Sequence, residues 1–337
     1  MLVGVGDQGA LTEAGVRDAA AAFASAASWS VRPALDLAGT VDAVADPDAA
    51  AQAAVEGILL ARYRFSLHSS DGPAPLAAVT VITTGGDAGA RRGTVLAGAT
   101  ALARDLANCP PAHLTAVRMA ELAEELGAQR GLTVEVFDRD ALLELGCGGL
   151  LAVNGGSAEP PRTIKLSYRP DGAARHLGLV GKGIMYDSGG ISLKPADPIH
   201  AMMKNDMSGA GAILAAMCAL RDLECPTAVT GWLMCTDNMP SGTALKMGDV
   251  LTVRGPLEHS NRADIHSPLA DIRNLGGANG GAIHAALFLY EFVDGVPWAH
   301  LDIAGVADVE KPGGWRTRGC SGFGARLLAD FAVGFGS

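Results

Sequence analysis

Aromatic residues are scarce: Phe, Trp and Tyr make up 5% of the 337 positions, so the core has to be assembled from Ala, Val, Leu and Ile. Positive charge is also lacking, with 26 Lys and Arg against 36 Asp and Glu and a net charge of −10. Phosphate backbones and anionic membrane surfaces are held by clustered basic side chains, and no basic stripe is visible, so neither is an expected partner. No apolar run approaches the ~20 residues of a membrane span. The opening Met1-Leu2-Val3-Gly4-Val5-Gly6-Asp7 has neither the basic nor the long apolar region of a signal peptide, and a cytoplasmic protein is expected. The six cysteines form no CxxC or CxxH spacing, which argues for reduced thiols rather than a zinc ribbon or a disulfide framework. The eight histidines contain no HExxH pair, removing the commonest zinc-protease signature.

What is present suits an α/β protein large enough for two domains: 49% hydrophobic residues, 18% charged residues and 44 glycines. Residues 12–27 read as an Ala-rich helix with Thr12 as its N-cap, 50–64 as a second helix and 77–83 as a β-branched strand. A glycine loop at 85–89 precedes a helix over 94–107, which Asn108-Cys109-Pro110-Pro111 ends, because the residue before proline is driven out of the helical region. Further on, 114–129 reads as an amphipathic helix, 133–137 as a strand and 139–145 as a short helix. Strands are expected over 150–153, 163–168, 176–180, 228–235 and 298–303, and helices over 208–220 and 281–292. The runs at 176–180, 228–235 and 298–303 are apolar enough to be strands covered on both faces. The alternation implies a mostly parallel or mixed sheet with helices on both faces.

The densest polar cluster in an apolar setting is Gly181-Lys182-Gly183-Ile184-Met185-Tyr186-Asp187-Ser188-Gly189-Gly190-Ile191-Ser192-Leu193-Lys194-Pro195, placed beyond the carboxyl end of a buried strand. Open α/β sheets put their ligands there. Asp206 follows in Met202-Met203-Lys204-Asn205-Asp206-Met207, at the entrance to a Gly/Ala helix. Two carboxylates and a neutral lysine amine suit a hard divalent cation. The bland alternative is a surface loop with a Lys–Asp ion pair.

Read in order, the stretch 179–194, then 203–207, Asp237-Asn238-Met239-Pro240-Ser241-Gly242 and Gly248-Asp249-Val250 resembles the signature of the leucyl aminopeptidase (M17) family. Leu269-Ala270-Asp271-Ile272-Arg273-Asn274 and Trp298-Ala299-His300-Leu301-Asp302-Ile303-Ala304-Gly305 continue it, as do 57–65, 104–110 and 151–161 upstream. The resemblance implies a catalytic domain of that family at 108–337, a linker helix at 93–107 and a smaller N-terminal α/β domain at 1–92. It implies that Lys182, Asp187 and Asp206 ligate metal, that Lys194 polarises the scissile carbonyl, and that Met203 walls the substrate pocket. The activity implied is hydrolysis of the N-terminal residue from peptides with a free N-terminus. The metal would be Zn or Mn, two ions in the family, and the assembly a homo-oligomer, a hexamer by resemblance.

The resemblance breaks at one place. After Gly248-Asp249-Val250-Leu251-Thr252-Val253-Arg254 the family continues into an Asn-Thr-Asp-Ala-Glu-Gly-Arg motif, which supplies two further ligands and an arginine, and later a strand lining the pocket. This chain passes instead to Gly255-Pro256-Leu257-Glu258-His259, so an internal deletion is expected near 254–256, with one ion or none held. Glu258, His259, Asp264 and His266 follow the gap and are the acids and imidazoles that could substitute. Leu2-Val3-Gly4-Val5-Gly6 resembles a strand midway through the family's N-terminal domain, so that domain is expected to be incomplete. The competing reading is a catalytically impaired or inactive homologue kept as a structural or binding subunit. Gly4-Val5-Gly6-Asp7-Gln8-Gly9 matches G-x-G-x-x-G but lacks a proper preceding strand, and His300, alternating with apolar residues, reads as a core histidine.

Overall fold

A computed structural model of the protein describes residues 1–37, 46–67, 75–246, 249, 251, 267–268, 270–273 and 281–335. The N-terminal part pairs two Ala-rich helices, α1 (Glu13–Ala26) and α2 (Pro47–Ala61), with a short parallel pair, β1 (Ala34–Asp36) and β2 (Thr80–Ile82). Thr12 caps α1 by accepting from the Gly15 amide, and Asp46 caps α2, whose first residue is Pro47, where a missing N–H costs nothing. Long α3 (Asp87–Asn108) leads out of this unit. The expected glycine loop is shorter than its sequence suggested, because Gly86, at φ 91, already caps the helix.

Next come α4 (Ala116–Arg130), β3 (Thr133–Phe137), α5 (Arg139–Glu144), α6 (Gly148–Asn154), β4 (Arg162–Tyr168) and β5 (His176–Asp187). Then α7 (Pro198–Met202), α8 (Ser208–Ala219), β6 (Ala228–Asn238), α9 (Gly281–Tyr290), a β7 (Asp308–Val309)–β8 (Gly319–Cys320) pair and α10 (Ala325–Gly334) complete the described elements. The main sheet is mixed, in the order β3-β4-β6-β5: β4 runs antiparallel to both β3 and β6, and β5 runs parallel to β6. Ile164, Leu166, Val229 and Leu233 are fully buried in it. From Ala210 to Ala219 every residue of α8 is buried, between the sheet and α3 and α10. The helix can approach so closely because Gly181 faces Gly209; a Cβ on Gly181 would sit 2.7 Å from the Gly209 carbonyl oxygen.

Four sequence expectations are corrected. The run at 150–153 is helical, part of α6; four apolar residues carry no period that separates strand from helix, and this run packs its helix on β6. The strand beginning at His176 runs to Asp187, so Lys182 lies within it rather than beyond its end. That strand is not covered on both faces, since Val180 is 72% exposed while Leu179 is buried; β5 is also the sheet's edge among the described residues. Finally, 298–303 is neither strand nor buried: Leu301 is 52% exposed, and Trp298 lies beside Tyr290 and His300, with ring centroids 5.9 and 6.0 Å away. Helix α9 is apolar apart from His284 yet has no buried residue.

Candidate functional site

Because β5 and β6 are parallel, their carboxyl ends lie side by side, and a bulge between Ile184 and Asp187 brings Asp187 opposite Asn238. The Asn238 amide donates to Asp187 Oδ1 at 2.8 Å, and the Gly189 N–H donates to the same oxygen at 2.9 Å. Oδ2 accepts from the Lys194 ammonium. Lys194 reaches back because the loop after Asp187 folds tightly, its N–H donating to the Ser188 carbonyl at 2.9 Å while the Ser188 hydroxyl donates to the Asn238 carbonyl at 2.7 Å. Gly189 and Gly190 make that turn at φ 90 and 64, and a Cβ on Gly190 would stand 2.6 Å from Asn238 Oδ1. Partial burial alone would raise the Asp187 pKa. The three donors outweigh it and hold the carboxyl below its usual range.

Lys182 and Asp206 form the second half. Lys182 Nζ lies 3.2 Å from Asp206 Oδ2, with the lysine side chain 62% exposed and the aspartate 21%. That oxygen is buried and makes no well-aligned hydrogen bond. Burial pushes the Asp206 carboxyl up to about 6, opposed by Lys182 and reinforced by the negative charge of Asp187. Met203 places its sulfur 3.1 Å from Lys194 Nζ. The short turn Met203–Asn205 that carries it is fixed from behind by Lys204, which donates to the Asn108 carbonyl at 2.9 Å. Tyr186 pins α7 by donating to the His200 carbonyl at 3.2 Å, its ring stacked on the imidazole at 5.8 Å between centroids.

The five residues expected from the sequence therefore fall into two groups, Asp187 with Lys194 and Met203 at the end of β5 and the Lys182–Asp206 pair, near enough for the charge of Asp187 to act on Asp206. Asn238 and Ser188, which hold Asp187 and its loop in place, had no role assigned from sequence; the only signal was an amide at the end of the strand parallel to β5. Two carboxylates and an amine fit one hard divalent cation completed by water. Among the described residues no three His, Cys, Asp or Glu side chains cluster. Glu258, His259, Asp264 and His266, and the junction at 254–256, lie outside the described residues.

Residues 101–255 and 252–329 match the catalytic domain of the cytosol aminopeptidase family, and residues 1–71 match its N-terminal domain. A probable cytosol aminopeptidase of Chlorobaculum tepidum is 35% identical over 86% of this chain and 76% of its own length. One from Solibacter usitatus is 34% identical over 99% of this chain and 86% of its own length, in an alignment of 421 positions. Among solved structures, the bottromycin maturation enzyme BotP in complex with Mn superposes with a TM-score of 0.90 at 34% identity, covering 99% of this chain and 90% of that one.

Proposed function

The chain belongs to the cytosol aminopeptidase family of peptidases, and from that premise we propose that it is a metal-dependent aminopeptidase working with a reduced, one-ion site. Lys182, Asp187 and Asp206 hold the cation, manganese or zinc; BotP, in complex with Mn, supports the former. Bound there, the ion would supply Lewis acidity and a water of lowered pKa. Lys194 donates to the oxyanion that develops on the scissile carbonyl. Met203, beside the same ammonium, offers an apolar wall to the side chain of the peptide's N-terminal residue. The observation that carries this reading is the Asp187–Lys194–Met203 group at the carboxyl end of β5 with the Lys182–Asp206 pair near enough for Asp187 to act on Asp206.

The internal gap belongs to the same proposal. The family match divides in two near residue 255, and the 421-position alignment is longer than this 337-residue chain, so the relative has residues where this chain has none. The second reading, a binding subunit with impaired turnover, is favoured by the edge of β5, unpaired among the described residues, and the 62% exposure of the Lys182 side chain, which leave the site open to water. Assembly as a hexamer and residence in the cytoplasm are carried over from the family as parts of the proposal. The test is hydrolysis of leucine p-nitroanilide by the manganese-loaded chain. Turnover that disappears in Asp187→Ala and in Lys194→Met supports the aminopeptidase. Manganese bound without turnover supports the binding subunit.

A further inference from the structure

Strands β5 and β6 run in register from His176 opposite Ala228 to Ile184 opposite Thr236, and the next pair is Asp187 opposite Asn238. Between those two pairs β5 carries Met185 and Tyr186 where β6 carries Asp237 alone. A slip of one residue turns every later side chain to the other face of a sheet, so this bulge decides which face Asp187 presents. A bulge also breaks the ladder and leaves a backbone N–H without its carbonyl partner, which is costly away from water. That N–H is met here by a side chain: the Tyr186 N–H donates to Oδ1 of Asp237 at 3.2 Å.

Asp237 is itself held from behind. The Ser157 hydroxyl donates to its Oδ2 at 3.4 Å, and the same hydroxyl oxygen accepts the Glu159 N–H at 3.0 Å. Ser157 belongs to a loop after α6 that closes on itself, its N–H donating to the Asn154 carbonyl at 2.8 Å and the buried Asn154 amide to the Glu159 carbonyl at 2.9 Å. The loop is clamped to the chain that follows β6. Thr243 donates its hydroxyl to the Gly155 carbonyl at 2.7 Å, and a Cβ on Gly156 would stand 1.8 Å from the Met239 carbonyl oxygen, so only glycine fits there.

We propose that Asp237 is a positioning residue of the metal site: its carboxylate fixes the bulge that aims Asp187 at the cation. Both of its oxygens are taken by protein donors, so it acts through the Tyr186 backbone and not on the ion. Asn238 grips the Asp187 carboxylate directly; Asp237, one residue earlier, sets the backbone from which that carboxylate projects. This role rests on the one-ion site, in which Asp187 is a ligand. Residues that orient a metal ligand typically change affinity by roughly 10–100-fold when they are removed.

The experiment is calorimetric titration of the full chain with manganese, repeated with D237A and D237N. Both variants lose the same charge, but asparagine keeps an oxygen that can accept the Tyr186 N–H. Manganese binding weakened about tenfold or more in D237A, and restored to within about threefold of the parent in D237N, supports the role. A D237A chain that melts earlier yet binds manganese as the parent does overturns it, since Asp237 would then only stabilise the fold. Equal weakening in both variants also overturns it, because charge alone would then account for the loss. A parent that binds no manganese overturns the one-ion site itself, and is told apart because the failure precedes any substitution. Should D237A not fold by circular dichroism, amide exchange in the metal-free parent decides. A Tyr186 N–H that exchanges about a hundredfold or more slower than an unstructured amide supports the bond to Asp237, and exchange at the free rate overturns it.

Discussion

Val180→Lys separates a strand with one open face from a strand covered on both. Val180 sits in the middle of β5 and is 72% exposed, while Leu179 beside it points inward at 9%. At so exposed a position, replacement should change stability by no more than about 0.5 kcal/mol. Were the strand covered on both faces, as its apolar sequence suggests, the change would forfeit ~1.5–3 kcal/mol of valine burial and also bury an unpaired ammonium. Leu166→Ala is the internal standard, since Leu166 is fully buried in β4 and its truncation should cost ~2–5 kcal/mol. Urea unfolding reads the difference: with an m-value near 3 kcal/mol/M, Val180→Lys shifts the midpoint by less than about 0.2 M, and Leu166→Ala by roughly 0.7 M or more. A Val180→Lys chain as unstable as Leu166→Ala would refute the open-face reading and mean that something covers this face in solution.

Two further predictions concern the site. Asp206 has its folded-state pKa raised to about 6, so without metal its contribution to stability is greatest in acid, below the unfolded value, and is lost as pH rises through 6. Asp206→Asn should therefore flatten the pH dependence and, in chelator-treated protein at pH 8, stabilise by on the order of 2 kcal/mol relative to the parent; urea unfolding at about pH 4.5 and 8 checks this, and parallel curves would count against it. Gly190→Ala puts a side chain on a backbone at φ 64, within 2.6 Å of Asn238 Oδ1, and should lower Tm by about 4 °C or more in a thermal melt; an unchanged melt would mean that the turn is built differently.

Local chemistry was the most legible part of this sequence. Thr12 caps α1 and Thr133–Phe137 is the expected strand, because both signals are settled within a few residues. Lys182, Asp187, Lys194 and Asp206 stood out as a polar cluster in an apolar setting, but their separate roles and Met203 came only through the family resemblance; spacing alone cannot tell that Lys194 folds back onto Asp187. Edge status was not legible at all. An apolar run such as 176–180 or 298–303 records that a strand is suited to neighbours, not that the chain supplies them. Among the described residues β5 has a single strand neighbour, and 298–303 pairs with none. The same physics explains α9, whose sequence reads as a core helix although every described side chain on it reaches the surface at least in part.

The central claim is that Lys182, Asp187 and Asp206 hold one divalent cation. Native mass spectrometry of the full chain after manganese loading and desalting counts the ions directly. One per chain, and none in Asp187→Ala, is the predicted result. Two ions, or none in the parent chain, would contradict it.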